Sequence, residues 1–168
     1  MNLNPMYLNS FQGKKKALEF FKQGYDYQIK GEFFKASINY YNSIKVFPTS
    51  EAYSFLAWVF FLSGKTKSAI KFSKKAIQTD PSLGNPYNDL GVYYLYQKKY
   101  SLAINFLKKA KQINKYEYKF YPYFNLGIVY EKIGHTELAR EEYQTALRLE
   151  PDYDFAKQAL NRMMKSYN

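Results

Sequence analysis

Residues 120–153 read FYPYFNLGIVYEKIGHTELAREEYQTALRLEPDY, and the fold follows from how this stretch is spaced. Ala139 is the reference point: Tyr123 stands sixteen positions before it, Gly127 twelve before, Tyr130 nine before and Pro151 twelve after. The same arrangement surrounds Ala36, Ala69 and Ala103, and the intervals between the four alanines are 33, 34 and 36 residues. Phe20, Tyr53 and Tyr87 supply the first aromatic of the earlier copies, and Tyr27, Phe60 and Tyr94 the second. Gly24, Ala57 and Gly91 keep the position between them small. Pro48 and Pro81 close the first and second copies, and Lys115 stands at that position in the third. A period of this length marks a helix–turn–helix unit stacked on copies of itself, because one unit alone cannot bury its apolar face.

Within each unit the apolar residues keep helical spacing on both sides of a central break. Gly31, Gly64 and Gly134 mark three breaks and Lys98-Lys99 the fourth. Glycine there suits the left-handed conformation that ends a helix. Pro48, Pro81 and Pro151 stop the second helix of their units, since the residue before proline is pushed out of the α region. Pro86 and Pro122 open first helices, where a missing N–H costs nothing, and Thr49, Asn85 and Thr136 are placed as N-caps. The pattern predicts helix pairs at 16–30 and 33–46, 50–63 and 66–79, 85–97 and 100–113, and 121–133 and 136–149. A last helix near 153–166 has Phe155, Ala159, Leu160 and Met163 along one side. Two extra residues between the third and fourth units, around 114–119, predict a longer connection there.

Unit four carries Tyr123, Leu126, Gly127 and Tyr130 on its first helix, then Ala139, Tyr143, Ala146 and Pro151 on and after its second. That set resembles the full pattern of the tetratricopeptide repeat (TPR) family. Unit one departs from it at Gln23 and Ser43, unit two at Ala57 and Ser73, and unit three at Leu107 and Lys115. The resemblance covers roughly residues 17–166. It implies an all-α solenoid of four TPR helix hairpins, at about 17–49, 50–83, 84–119 and 120–153, with a C-terminal capping helix at 153–166. Residues 1–16 form an extension before it. The consensus residues are then core, where small residues let the two helices approach and aromatics fill the space between them.

Composition narrows the function. The 168 residues are one domain's worth of chain and contain no cysteine, which excludes disulfides and thiolate metal sites. With His135 as the single histidine, thiol–imidazole pairs and histidine-rich metal sites are also excluded. No phosphate-cradling glycine loop is present. The chain reads as a non-enzyme without a cofactor. Its longest apolar stretch, Phe55–Leu62, is too short for a bilayer, which takes about 20 residues. No signal-peptide pattern opens the sequence, so the expectation is a soluble, cytoplasmic protein.

The net charge of +11 is uneven: residues 1–120 hold 19 Lys/Arg against 7 Asp/Glu, and residues 121–168 hold 6 against 7. Lys67, Lys71, Lys74 and Lys75, with Lys108, Lys109 and Lys111, fall on second helices and read as a solvated convex surface. A nucleic-acid partner finds no RNA-repeat code, zinc finger or RNP-type motif to support it.

Similarity to the family implies that the first helices line a concave groove. The positions that face it there correspond here to Phe21, Lys22 and Tyr25; Phe55, Trp58 and Phe61; Asn88, Asp89 and Tyr96; and Phe124, Asn125 and Ile128. Leu18, Glu51 and Tyr121 belong to the same frame. Phe21, Tyr25, Phe55, Trp58, Phe61 and Phe124 are expected to form one apolar patch, and exposed apolar patches usually mark interaction sites; packing between neighbouring first helices would use the same residues. Asn125 has the donor and acceptor needed to hold a peptide backbone. Family members that grip the carboxyl terminus of heat-shock chaperones use Lys and Asn at two positions that here hold Phe21 and Tyr25. Their further basic residues correspond to Asn85 and Asp89, so that ligand is excluded. The chain reads as a non-catalytic module that binds a peptide or helix of a protein partner through apolar and aromatic anchors. The alternatives are a self-associating assembly protein, a homo-oligomer, or a nucleic-acid binder using the basic convex helices. Met6, Tyr7, Leu8 and Phe11 are expected to cap the first repeat, or else to lie in its groove or bind another copy.

Overall fold

The computed structural model describes residues 5–114 and 116–165, with side chains from Phe11 onward. Among the described residues there are nine helices: α1 (Pro5–Ile29), α2 (Phe33–Val46), α3 (Ser50–Leu62), α4 (Thr66–Thr79), α5 (Asn85–Tyr96), α6 (Tyr100–Gln112), α7 (Phe120–Lys132), α8 (Thr136–Leu149) and α9 (Asp154–Lys165). The architecture is an all-α solenoid of hairpins. In each, a first or A helix (α1, α3, α5, α7) packs on its B helix (α2, α4, α6, α8). The chain divides into two compact units after Pro81. In the first, α2 also packs on α3; in the second, α6 and α5 pack on α7, and α8 on α9.

Helix ends fall close to the periodic expectation except at the start. There α1 begins at Pro5, so residues 5–15 prolong the first A helix. The side chains of Met6, Tyr7 and Leu8, Lys115, and the predicted end of the last helix at Ser166 lie outside the described residues. Thr49 caps α3 as expected, accepting a hydrogen bond from the Ala52 N–H at 3.1 Å. The other two caps are displaced by one residue: Gly84 precedes α5 and His135 precedes α8, so Asn85 and Thr136 are already helical.

The four repeat alanines are fully buried, and the packing around each can be read residue by residue. In the first repeat the Tyr40 ring lies over Gly24, where a Cβ would stand 2.8 Å from it. Tyr143 covers Gly127 in the same way at 2.6 Å, and Leu107 covers Gly91 at 2.4 Å. The second repeat has Ala57 and Ser73 at the corresponding positions, both with no exposure. Its two departures from the pattern compensate, with a methyl group added on the A helix and a ring removed from the B helix. The covering tyrosines are anchored at their far ends. The Tyr40 hydroxyl donates to Gln28 Oε1 at 2.9 Å, and the Tyr143 hydroxyl donates to Glu131 Oε2 at 2.8 Å. Arg162 of α9 then reaches both oxygens of Glu131 at 2.9 Å.

The breaks between A and B helices use one conformation. Gly31, Gly64 and Gly134 have φ of 74°, 75° and 80°, and in the third repeat Lys98 takes the same role at φ 57°. A side chain in that region costs roughly 1–2 kcal/mol. Lys98→Gly recovers part of this and loses part to the greater freedom of the unfolded chain. We expect a net gain of about 1 kcal/mol, read as a higher urea midpoint at an unchanged slope.

Candidate peptide-binding surface

In the first unit the predicted residues sit on α1 and α3, beside each other. Phe21 and Phe55 meet edge-to-face at 5.0 Å, and Tyr25 stands 6.0 Å from Phe55. Phe21 and Phe55 also lie 5.4 and 5.7 Å from the buried Tyr40 ring. They form the roof of the core made by Ala36, Tyr40, Leu56 and Val59, with an outer edge that stays partly exposed. Tyr25 is 46% exposed and extends this roof into solvent. Further along α3, Trp58 and Phe61 are half-buried and pair at 5.7 Å. Lys22, next to Phe21 in sequence, is exposed on α1.

In the second unit the predicted residues separate by chemistry. Asn88 on α5 is buried, and its Oδ1 accepts a hydrogen bond from Asn125 Nδ2 on α7 at 2.9 Å. The two amides are therefore joined across adjacent A helices, which uses one donor of Asn125 and holds both side chains in place. Asp89 is half-buried, and its charge helps hold the neighbouring Tyr116 hydroxyl in its protonated form. Tyr96 stands 69% exposed at the end of α5, and Ile128 is half-buried on α7.

Phe124 does not stand alone. It meets Tyr143 at 5.6 Å, Tyr153 at 5.0 Å and Phe155 at 6.4 Å. Tyr153, in the turn before α9, is the hub of this cluster, with Phe120 at 4.7 Å and Tyr121 at 5.7 Å. Phe155 is 65% exposed and Tyr121 37% exposed, so the cluster has a solvent edge. The paired runs Phe120–Phe124 and Tyr153–Phe155 are the sequence signal for it, because each places rings at the start of successive A-type helices. Of the six aromatics expected to form one patch, five belong to the first unit and Phe124 to the second.

The lysines are less uniform than their spacing suggests. Lys67, Lys71, Lys74 and Lys75 are exposed on α4, with Lys75 also 5.8 Å from the Tyr53 and Phe72 ring centres. Lys111 does not point freely outward. It forms an ion pair with Glu142 of α8 at 2.7 Å and lies 4.2 Å from the Tyr123 ring centre. His135 occupies the turn before α8 and lies edge-on to Tyr130 at 6.3 Å. No helix among the described residues is long and apolar enough to cross a membrane.

Models of the tetratricopeptide repeat match residues 50–83, 85–116 and 120–153. The type IV pilus assembly protein PilF of Pseudomonas aeruginosa is 27% identical over 144 residues, which cover 84% of this chain and 57% of that protein. The chain thus spans little more than half the length of that relative. A solved structure of Pseudomonas aeruginosa PilF aligns with a TM-score of 0.87 at 22% identity, covering 93% of this chain and 71% of that one. The structure of PilW, a widely conserved type IV pilus biogenesis factor, aligns with a TM-score of 0.81 at 17% identity, covering 88% and 68%. At these identities the structural likeness speaks for the fold.

Proposed function

This chain belongs to the tetratricopeptide repeat family, and we propose that it is a non-catalytic scaffold that holds a peptide or helix of a partner protein. The holding surface in this reading is the aromatic face of α1 and α3. The observation that supports it is the placement of Tyr25, beside the Phe21–Phe55 roof of the core, with nearly half its surface in water. A ring already ordered by its neighbours loses little entropy when a partner covers it, so more of the burial energy goes into affinity. Each apolar anchor contributes roughly 1.5–3 kcal/mol, and a flexible partner gives back about 2–5 kcal/mol on ordering, so two or three anchors are needed. The likeness to PilF supports a partner that is a subunit of a larger protein assembly.

The test is affinity purification from the source cells with the wild type and with the triple variant Tyr25→Ser, Trp58→Ser, Phe61→Ser, quantified by mass spectrometry. The variant should keep its helical circular dichroism and recover the partner at least about tenfold less well, the loss of roughly 1.4 kcal/mol or more. Recovery of the same partners at the same level rejects the aromatic surface as the binding face.

A further inference from the structure

The third and fourth repeats each insert a tyrosine of their own into one place that the first repeat leaves open. In the third, Tyr116 from the α6–α7 connection is 5% exposed and lies so close to Gly84 that a Cβ there would stand 2.5 Å from the ring. In the fourth, Tyr153 from the α8–α9 connection packs 4.7 Å from Phe120 and 5.0 Å from Phe124. Gly84 and Phe120 share one repeat position, nineteen residues before Ala103 and Ala139. The two tyrosines follow those alanines by thirteen and fourteen residues.

In the first repeat the corresponding residues are Ala17, with Thr49 and Ser50 thirteen and fourteen residues after Ala36. None has a ring: the Thr49 hydroxyl oxygen accepts from the Ala52 N–H at 3.1 Å, and the Ser50 hydroxyl is turned to the Ala76 carbonyl at 2.9 Å. What remains is a notch of about 310 Å³ lined by Ala17, Leu18, Phe21, Ser43 and Phe47 among others. That volume is at the lower end of the roughly 300–1,000 Å³ of small-ligand sites. The Ser43 hydroxyl is spent on the Ala17 carbonyl at 2.8 Å and the Thr49 oxygen on the Ala52 N–H, so the polar groups left in the lining are the exposed Lys14 and Glu51. The Lys14 ammonium stands 5.2 Å from the Phe47 ring centre at this notch. A cation at the edge favours an aromatic guest over an aliphatic one, because it is attracted to the face of a ring.

We propose that this notch is a socket for a tyrosine or phenylalanine side chain carried by an extended segment of the partner protein. The guest ring takes the place that Tyr116 and Tyr153 take in the later repeats. The socket rests on the reading of the chain as a peptide-binding scaffold and adds to it a preferred residue type. Leu18 and Phe21 join the socket to the aromatic face, since both belong to the groove positions of α1.

The probe is N-acetyl-tyrosinamide, titrated against the whole chain and followed by amide chemical shifts, with N-acetyl-leucinamide as the comparison. Saturable shifts at Ala17, Leu18 and Phe47 are expected, with the leucine compound binding at least about threefold more weakly. Ala17→Phe places the protein's own ring in the notch and should reduce the response about tenfold or more. Leu18→Glu, on a side chain 51% exposed, is the second variant should Ala17→Phe disturb folding, and it should weaken binding similarly. No saturable shifts, an equal leucine response, or an unchanged response in both variants overturns the socket. The triple variant of the aromatic face should still bind the probe. If that variant loses the partner while Ala17→Phe and Leu18→Glu both keep it at full strength, the scaffold reading stands and the socket falls.

Discussion

Raising the pH above 10 should unfold this protein in a transition driven by its enclosed tyrosines. The hydroxyls of Tyr40, Tyr116, Tyr143 and Tyr153 all titrate above the ordinary value of 10.0, and burial is the largest cause in each. At Tyr116 the charge of Asp89 adds to it, and at Tyr143 so does the hydrogen bond to Glu131, partly offset by Arg162. Tyr153, nearer the solvent, is pushed up to about 12. The folded chain therefore keeps protons that the unfolded chain releases above pH 10. Stability from this source is complete below pH 10 and is lost as pH climbs toward the folded values.

Each tyrosine that stays protonated adds about 1.4 kcal/mol of lost stability per pH unit. For the three almost fully enclosed rings, Tyr40, Tyr116 and Tyr143, the sum is about 4 kcal/mol per unit. That is a large part of the 5–15 kcal/mol that holds a typical domain together. Circular dichroism and tyrosinate absorbance should change together between pH 10 and 12. A rise in absorbance for all the tyrosines while the helices remain intact contradicts the prediction.

Tyr143→Ala should cost about 3–5 kcal/mol, the range for removing a large buried ring. The side chain has no exposure, its ring covers Gly127, and its hydroxyl belongs to the chain of contacts through Glu131 to Arg162. Alanine there opens a cavity between α7 and α8 and loosens the hold on α9. Tyr143→Phe keeps the ring and leaves Glu131 paired with Arg162, so it should cost only about 1 kcal/mol, that of one hydrogen bond. Urea unfolding at constant slope measures both. An alanine variant within 1 kcal/mol of the wild type would mean that the ring is not packed as described.

The hairpins were legible because every repeat makes the same local contacts. Gly127 and Tyr143, like Gly24 and Tyr40, lie sixteen residues apart within one unit, and that separation survives in each copy. What escaped the periodic pattern joins different repeats or comes from a connection. The hydrogen bond from the Asn125 amide to the Asn88 amide spans 37 residues, and the Lys111–Glu142 pair spans 31. Helical spacing shows which face a residue occupies and not which neighbour meets it there. Tyr116 gives no sign in sequence that it turns inward onto Gly84, since the longer connection has no period of its own. The length of α1 was hidden for a similar reason: residues 5–15 lie before the first marker of the repeat. Lys98 adopts a glycine's conformation without a glycine's signature, because the surrounding hairpin imposes it.

The matched sizes at the crossing of each A and B helix constrain how such a protein evolves. A whole hairpin copied in one event brings both halves of its joint and needs no further adjustment there. Exchange of a single helix between copies is a different matter. Moving α2 into the place of α4 would press the Tyr40 ring against Ala57, and the reverse graft would leave Gly24 facing the small Ser73. Recombination inside a hairpin is thus penalised where recombination between hairpins is not, and inheritance in pairs follows from the fit of one ring over one missing methyl group.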